Sequence, residues 1–194
     1  TIPFTILREV ELDASLAIPS NQLTAIRGLG YGTNAKMMIG FSSRPWHALG
    51  SNGTAYTNLA NVQTTWETNP SRGTVTRGVL TDFSSGARGA ELNPNAVQTE
   101  AQRFLTDLNQ IFPGTLGATT RVNGQYLAHL EHWPSNPFMK GSYTCYRPGQ
   151  FTTMAGLEGI PTDNLFFAGE HTNSFYEWKG FMEGAALSGI AAAQ

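Results

Sequence analysis

The residue pattern predicts an α+β fold, and three observations carry that expectation. Strand-like runs recur through the middle of the chain at AKMMIGFSS, GTVTRGVLTDF and YLAHLEHW. An amphipathic helix lies between them over residues 93–112. The chain then closes with a short, continuously apolar strand, NLFFAGE, of the sort found inside an α/β sheet, followed by a loop and a helix of small residues, GFMEGAALSGIAAAQ.

In chain order, TIPFTILREVEL is a β-type apolar run with neither an initiator Met nor a polar lead-in, and it reads as a strand. A strand at the chain's own edge needs pairing partners in the same sheet, so the sequence looks cut. PSNQLTAIRGLG follows as a short helix: Pro19 and Ser20 start it, Leu23 and Ile26 share a face, and Gly28 ends it. AKMMIGFSS is a buried strand stopped by Pro45. The stretch from Trp46 to Pro70 is rich in Gly, Asn and Thr, with strand-like pieces such as VQTTW, and GTVTRGVLTDF is a clearer strand. The helix after it takes Asn93 as its N-cap and Pro94 in its first turn. Phe104, Leu105, Leu108, Ile111 and Phe112 fall on one face before Pro113-Gly114 stops it.

Composition removes several function classes. Charged residues make up 13% of the 194, about half the usual ~25%. The 12 basic and 14 acidic groups leave a formal charge of -2, too balanced for a generic nucleic-acid binder or a polybasic membrane anchor. One cysteine, Cys145, excludes an intrachain disulfide framework. No run approaches the ~18 apolar residues of a membrane span and no basic segment precedes an apolar one, so a soluble, cytoplasmic protein is expected.

Three motif-like patterns do not carry chemistry. Gly28-Leu29-Gly30-Tyr31-Gly32 suggests a dinucleotide loop, but its glycines follow a helix and precede a strand, the reverse of the required order. It reads as a helix stop and turn. His129 and His132 bracket Glu131, yet an offset of three puts their side chains on opposite faces of a strand, which argues against a metal. Ser142, Asp163 and His171 could in principle form a triad, but no G-x-S-x-G elbow is present. Asn52-Gly53-Thr54 is a glycosylation sequon, which matters only in an exported protein.

The informative region is NLFFAGEHTNSFYEWKGFMEGAALSGIAAA. It puts an acid, Glu170, at the tip of an apolar run and aromatics at the start of a helix. Sheet tips of this kind hold ligands, and a helix amino end carries about half a positive charge. An anionic group or an electron-rich ring would sit well at the amides of Phe181 and Met182.

Three blocks of these residues resemble the carboxyl-terminal part of the flavin-dependent amine oxidase family, which includes monoamine, polyamine and L-amino acid oxidases. LFFAGEHT with EWKGFMEGA is similar to the family's closing flavin-binding segment, and GSYTCYRPG to the segment lining the flavin ring. YGTNAKMMIGFSSRPW resembles its lysine-bearing strand, and TIPFTILREVEL the strand before that block. The likeness runs in order along essentially the whole chain.

The resemblance implies a substrate domain with a mixed β-sheet and helices over 26–135. It assigns 1–25 and 136–194 to the strand–helix part of an FAD-binding α/β domain. The implied reaction is hydride transfer from an amine or L-amino acid to flavin N5, with oxygen reduced to hydrogen peroxide. Lys36 matches the catalytic lysine that holds a water against N5, and Tyr143 and Phe181 match two aromatics flanking the substrate amine. Trp133 matches an aromatic beside the isoalloxazine. Glu170 matches a carboxylate that accepts hydrogen bonds from cofactor hydroxyls, and the Met182 amide faces the flavin N1–C2=O edge. Ser142, Gly169, Trp178 and Gly180 complete the implied cofactor-binding set.

Departures from the family pattern refine these expectations. Ser142 stands where some members carry a cysteine joined to the flavin, so FAD is expected to be noncovalent. Phe181 replaces a tyrosine of the monoamine oxidases. The amino-terminal strand–GxGxxG–helix is missing from the sequence, so a further segment or companion chain is expected to complete the site, and the chain alone to be inactive. The other expectation is a noncatalytic binding module, or a truncation that self-associates through an orphaned sheet edge.

Overall fold

A computed structural model describes residues 1–68, 76–174 and 178–194. The elements run α1 (Phe4–Leu7), α2 (Ser20–Gly28), β1 (Ala35–Phe41), α3 (Pro45–Ala48), β2 (Ala55–Tyr56), β3 (Thr64–Glu67) and β4 (Gly78–Ser84). They continue with α4 (Gly86–Glu91), α5 (Val97–Ile111), α6 (Thr115–Ala118), β5 (Arg121–Val122), β6 (Gln125–Tyr126), β7 (Ala128–His132), α7 (Gln150–Met154) and α8 (Met182–Ala193). The α+β class expected from the residue pattern is the one the chain adopts. Two compact units divide it: Thr33–Trp133 forms one, and Thr1–Gly32 with Pro134–Gln194 forms the other.

The Thr33–Trp133 unit is built on a five-stranded antiparallel sheet in the order β2-β3-β4-β1-β7. Alternation along β1 buries Ala35, Met37, Ile39 and Phe41 on one face, and α5 supplies Ala101, Phe104, Leu105 and Leu108 to the same core. Those four recur at helical spacing, which is why this stretch closes over a sheet instead of joining it. Asn93 starts the segment as expected, its side chain accepting from the Asn95 amide at 2.9 Å ahead of a short 3-10 turn at Pro94–Ala96 that leads into α5. Trp46 is fully buried, edge-on to Phe41 at 5.2 Å, with its indole N–H donating to Glu67 at 3.1 Å. Asp82, in the middle of β4, is also fully buried. It accepts from the Gln63 and Thr64 amides and the Ser84 hydroxyl at 2.9, 3.3 and 2.7 Å, holding the approach to β3 against β4. Burial pushes its pKa above the usual carboxylate range against the pull of those bonds.

In the second unit the structure corrects the reading of the first residues. TIPFTILREVEL is not a strand: Phe4–Leu7 is a helical turn, and a 3-10 turn follows at Ala14–Leu16. Pro3 stands at the N-cap, and Phe4 and Leu7, one turn apart, pack with Ile26 and Leu29 of the α2 region. A run of apolar and β-branched residues carries no periodicity that separates strand from helix, and the tertiary cluster decides. Arg8 donates to the Ile26 and Leu29 carbonyls at 2.8 and 2.6 Å, satisfying orphan acceptors at the end of α2.

NLFFAGE is a second correction. Among the described residues it pairs only through an isolated bridge between Thr162 and Leu165, and a 3-10 turn takes over at Glu170–Thr172. Its apolar residues fit a buried strand, but a strand forms only where neighbouring strands supply ladder partners. The α7 turn and the helical turns α3 and α4 had no counterpart in the sequence reading. GTVTRGVLTDF is a strand from Gly78 onward, and its residues 73–75 lie outside the described residues. No helix among the described residues is long and apolar enough to cross a membrane.

His171 is buried against the Phe4 ring, 4.6 Å between centroids. Burial, and after it the Lys179 ammonium, lowers its pKa to about 4. The unfolded chain therefore binds a proton between about pH 6.5 and 4 that the folded chain refuses, so stability is full above that window and falls through it. Thermal melts should lose roughly 3 kcal/mol between pH 7 and 4 from this group, and His171→Leu should flatten that part of the profile. Leu108→Ala, which empties a fully buried position under the sheet, should cost about 3 kcal/mol by chemical denaturation.

Candidate functional site

The glycines of Gly28-Leu29-Gly30-Tyr31-Gly32 serve backbone packing. Residues 30–32 lie antiparallel to residues 142–145: Gly32 N–H donates to the Tyr143 carbonyl, Ser142 N–H to the Gly32 carbonyl and Cys145 N–H to the Gly30 carbonyl, each at 2.9 Å. A Cβ at Gly30 would come within 2.2 Å of the Cys145 carbonyl, so only glycine permits this approach. Gln150 locks the same place, donating to the Gly28 carbonyl at 2.7 Å and accepting from the Gly30 and Arg147 amides at 3.0 and 2.9 Å. This pairing fixes Ser142 and Tyr143. The Tyr143 side chain stays 45% exposed.

Glu170 sits where three segments meet. Its carboxylate accepts from the Thr144 amide at 3.0 Å, the Thr144 hydroxyl at 2.6 Å and the Gly180 amide at 2.7 Å. The preceding residue, Gly169, has φ +139°. Ser188 of α8 holds it there, accepting from the Gly169 amide at 2.9 Å and donating toward its carbonyl at 3.1 Å. Ser188 is reached because it lies inside α8, six residues after Met182, on the face turned to the Gly169 turn.

From Trp178 the chain turns into α8. The Phe181 amide donates to the Trp178 carbonyl at 3.0 Å, and a Cβ at Gly184 would lie 2.2 Å from that carbonyl, so the turn rests directly on the helix. Gly180 takes φ +83°, and the Tyr143 ring approaches to 3.5 Å of where its Cβ would be. The small residues of α8 thus have a local purpose: they let the turn sit on its first coils. Among the described residues no side chain caps α8, and its N-cap residue Phe181 is extended. Phe181 is 60% and Met182 90% exposed, beside Trp178, whose ring meets Phe181 edge-on at 6.3 Å. Large apolar side chains exposed together at a helix amino end mark an interaction or ligand-binding surface.

The structure brings Ser142, Tyr143, Gly169, Glu170, Trp178, Gly180, Phe181 and Met182 into this one unit. Lys36 and Trp133 belong to the Thr33–Trp133 unit. Lys36 lies on the face of β1 opposite the core, half-buried, in register with Phe83 of β4 and Glu131 of β7, its Nζ 5.9 Å from the Phe83 ring centroid. Trp133 directly follows β7 and opens a 3-10 turn, also half-buried. His129 and His132 have separate partners, Glu131 at 3.4 Å and the Gly89 carbonyl at 3.0 Å. Among the described residues no three His, Cys, Asp or Glu side chains gather as a metal site. Thr144 went unnoticed in the sequence. Its only signal is its place between two residues of an aromatic-flanked run, and nothing local couples it to Glu170, 26 residues on.

A sequence profile described as flavin containing amine oxidoreductase matches residues 1–194. Among curated relatives, the putative L-amino-acid oxidase YobN of Bacillus subtilis (strain 168) is 27% identical over the whole of this chain and 39% of that protein. Polyamine oxidase 4 of Oryza sativa subsp. japonica is 26% identical over the whole chain and 37% of that protein. The chain therefore spans about two fifths of the length of these relatives. In fold it is similar to cyclohexylamine oxidase from Brevibacterium oxydans IH-35A, with a TM-score of 0.80 at 20% identity over the whole chain and 40% of that structure. Wild-type putrescine oxidase bound to putrescine gives a TM-score of 0.75 at 16% identity, over the whole chain and 41% of that structure. With the profile matching from the first residue to the last, this chain belongs to the flavin-containing amine oxidoreductase family.

Proposed function

We propose that this chain supplies the isoalloxazine-facing part of a noncovalent FAD site in an oxidase of amines or L-amino acids. The observation that carries the reading is the amino end of α8: uncapped among the described residues, 90% exposed at Met182 and framed by Tyr143, Trp178 and Phe181. The residues fit a flavin. A helix amino end offers N–H groups and partial positive charge to the pyrimidine rim, and aromatic faces offer apolar contact to the ring and its substrate. A flavin held here would supply the acceptor for a hydride from the amine carbon, the imine being the product, and oxygen would take the electrons to give hydrogen peroxide.

The chain's own residues orient and polarise. The Met182 amide donates toward the N1–C2=O edge, where negative charge collects on reduction, so it favours the reduced state. Glu170 holds the turn that presents this amide, through Gly180, and its remaining acceptor capacity is open to a cofactor hydroxyl. Gly169 lets the backbone pass close to the cofactor. Tyr143 and Phe181 flank the substrate amine, and they suit a neutral amine whose lone pair assists hydride loss. By the resemblance, Lys36 would hold a water toward flavin N5 and Trp133 would pack beside the ring. Ser142 in place of a cysteine leaves no thiol for covalent attachment there, and Cys145, which is exposed, lies three residues further on. The pyrophosphate and adenine half comes from a further segment or companion chain, as the two-fifths share of the relatives' length suggests, so this chain by itself does not turn over.

Met182→Pro tests the reading with little cost to the helix, because proline is accepted at the first helical position and Phe181 before it is already extended. In the complete flavoprotein the substitution deletes one charge-assisted donor, worth about 1.5–3 kcal/mol. The flavin midpoint should fall by roughly 30–60 mV and turnover about tenfold or more. An unchanged midpoint and rate in a folded Met182→Pro protein would contradict it, as would a colourless, self-associating preparation of the wild type. Phe181→Ala should raise the KM for the amine by roughly tenfold in steady-state assays while leaving the melting temperature within a few degrees, since the ring is largely exposed.

A further inference from the structure

Lys179 places a largely buried charge in the turn into α8. Its side chain is only 10% exposed, and its Nζ donates to Glu158 Oε1 and to the His171 carbonyl, both at 3.0 Å, while standing 4.3 Å from the Tyr146 ring centroid. Glu158 is fully buried and also accepts from the Ser174 hydroxyl at 2.6 Å, the Gly156 amide at 2.9 Å and the Tyr146 hydroxyl. Burial alone would raise the Glu158 pKa, but the bonds from Ser174 and Tyr146 and the Lys179 ammonium outweigh it and hold the carboxyl below its ordinary range. Glu158 is therefore held toward its carboxylate form, with donors from Lys179, Ser174, Tyr146 and Gly156 around it.

A buried ion pair of this kind is rarely worth more to stability than apolar residues of the same volume, while its directional bonds fix one arrangement against others. What it fixes here is specific. Lys179 stands between Trp178, whose carbonyl lies on α8 and receives the Phe181 amide, and Gly180, whose amide is bound by Glu170. Three consecutive residues are thus held by three separate anchors: the α8 surface, Glu158 and Glu170. The next two residues, Phe181 and Met182, are the exposed ones.

We propose that Lys179 is a positioning residue for the flavin-facing tip of α8, its buried bond to Glu158 fixing the Trp178–Phe181 turn and through it the Phe181 ring and the Met182 amide. The proposal rests on the function proposed above and deepens it. A rigidly placed turn matters because a displacement of about 1 Å at a reacting site can cost on the order of a hundredfold in rate. Lysine suits the place because its flexible stem ends in an ammonium over the Tyr146 ring with three donors, two of which are used on Glu158 and His171.

The test compares Lys179→Met, Lys179→Arg and the double variant Lys179→Met/Glu158→Gln in the complete flavoprotein, reading the flavin visible band, kcat and KM on protein verified as folded by circular dichroism. The proposal expects folded Lys179→Met to show a perturbed flavin band and kcat/KM down at least tenfold, with Lys179→Arg restoring most of it. The double variant, which leaves no buried charge unpaired, should fold like the wild type and keep the catalytic defect. A purely structural pair would lower the melting temperature and leave the flavin band, kcat and KM of the folded protein within twofold of wild type, and that result overturns the proposal. Failure of both Lys179→Met and the double variant to fold also overturns it, since the pair would then be a folding element. If the wild-type protein holds no flavin, the function proposed above fails first; a yellow, active wild type with an unaltered Lys179→Met variant removes only the present inference.

Discussion

The Glu170 carboxylate accepts two backbone amides and one hydroxyl, from Thr144 and Gly180, residues 26 positions before it and ten after. Hydrogen bonds to an ionised acceptor are roughly twice as strong as neutral ones, and these three join the segment that carries Tyr143 to the turn that leads into α8. Without them the 142–145 segment would keep its pairing to Gly30–Gly32, but the turn at Gly180 would lose its tie to it. The arrangement of Tyr143 beside Gly180 follows from this constraint, and among the described residues no side chain caps the α8 amino end. The resemblance to the oxidases implies that this carboxylate meets cofactor hydroxyls. Most of its acceptor capacity is already used within the chain, so its larger contribution is to shape the site.

The Thr33–Trp133 unit follows a different logic, in which sheet alternation decides what is presented. Ala35, Met37, Ile39 and Phe41 are committed to the core under α5, and this forces Lys36 and Met38 to the other face with Phe83 and Glu131 alongside Lys36. A one-residue slip of β1 would bury the lysine and expose the core. Asp82 guards against such a slip on the neighbouring strand, because its carboxylate fits the Gln63 and Thr64 amides in one register only.

Periodicity made the central elements legible. β1, β4, β7 and α5 each announce themselves by strand alternation or by a one-sided helical face, and Asn93 marks the start of the α5 segment. The first residues and NLFFAGE were misread for one physical reason. Both are short apolar runs whose conformation is decided by what they touch: Phe4 and Leu7 find a helical cluster, and NLFFAGE finds no ladder among the described residues. At the site, Glu170, Phe181 and Met182 were legible because they are contiguous with a recognisable strand–loop–helix pattern. Thr144, Ser188, Glu158 and Lys179 were not, since each acts through a partner from 19 to 26 residues away and has no local signature. The close antiparallel contact that Gly30 and Gly32 make with 142–145 is a tertiary fact without a local signature.

Amide hydrogen exchange, resolved by residue and measured with and without flavin, tests the central claim most directly. The account predicts that the Thr144 and Gly180 amides, bound to Glu170, exchange slowly in both states, whereas the Met182 amide exchanges rapidly without flavin and becomes protected when it binds. Thr144 and Gly180 amides as labile as an exposed loop, or a Met182 amide indifferent to flavin, would contradict it.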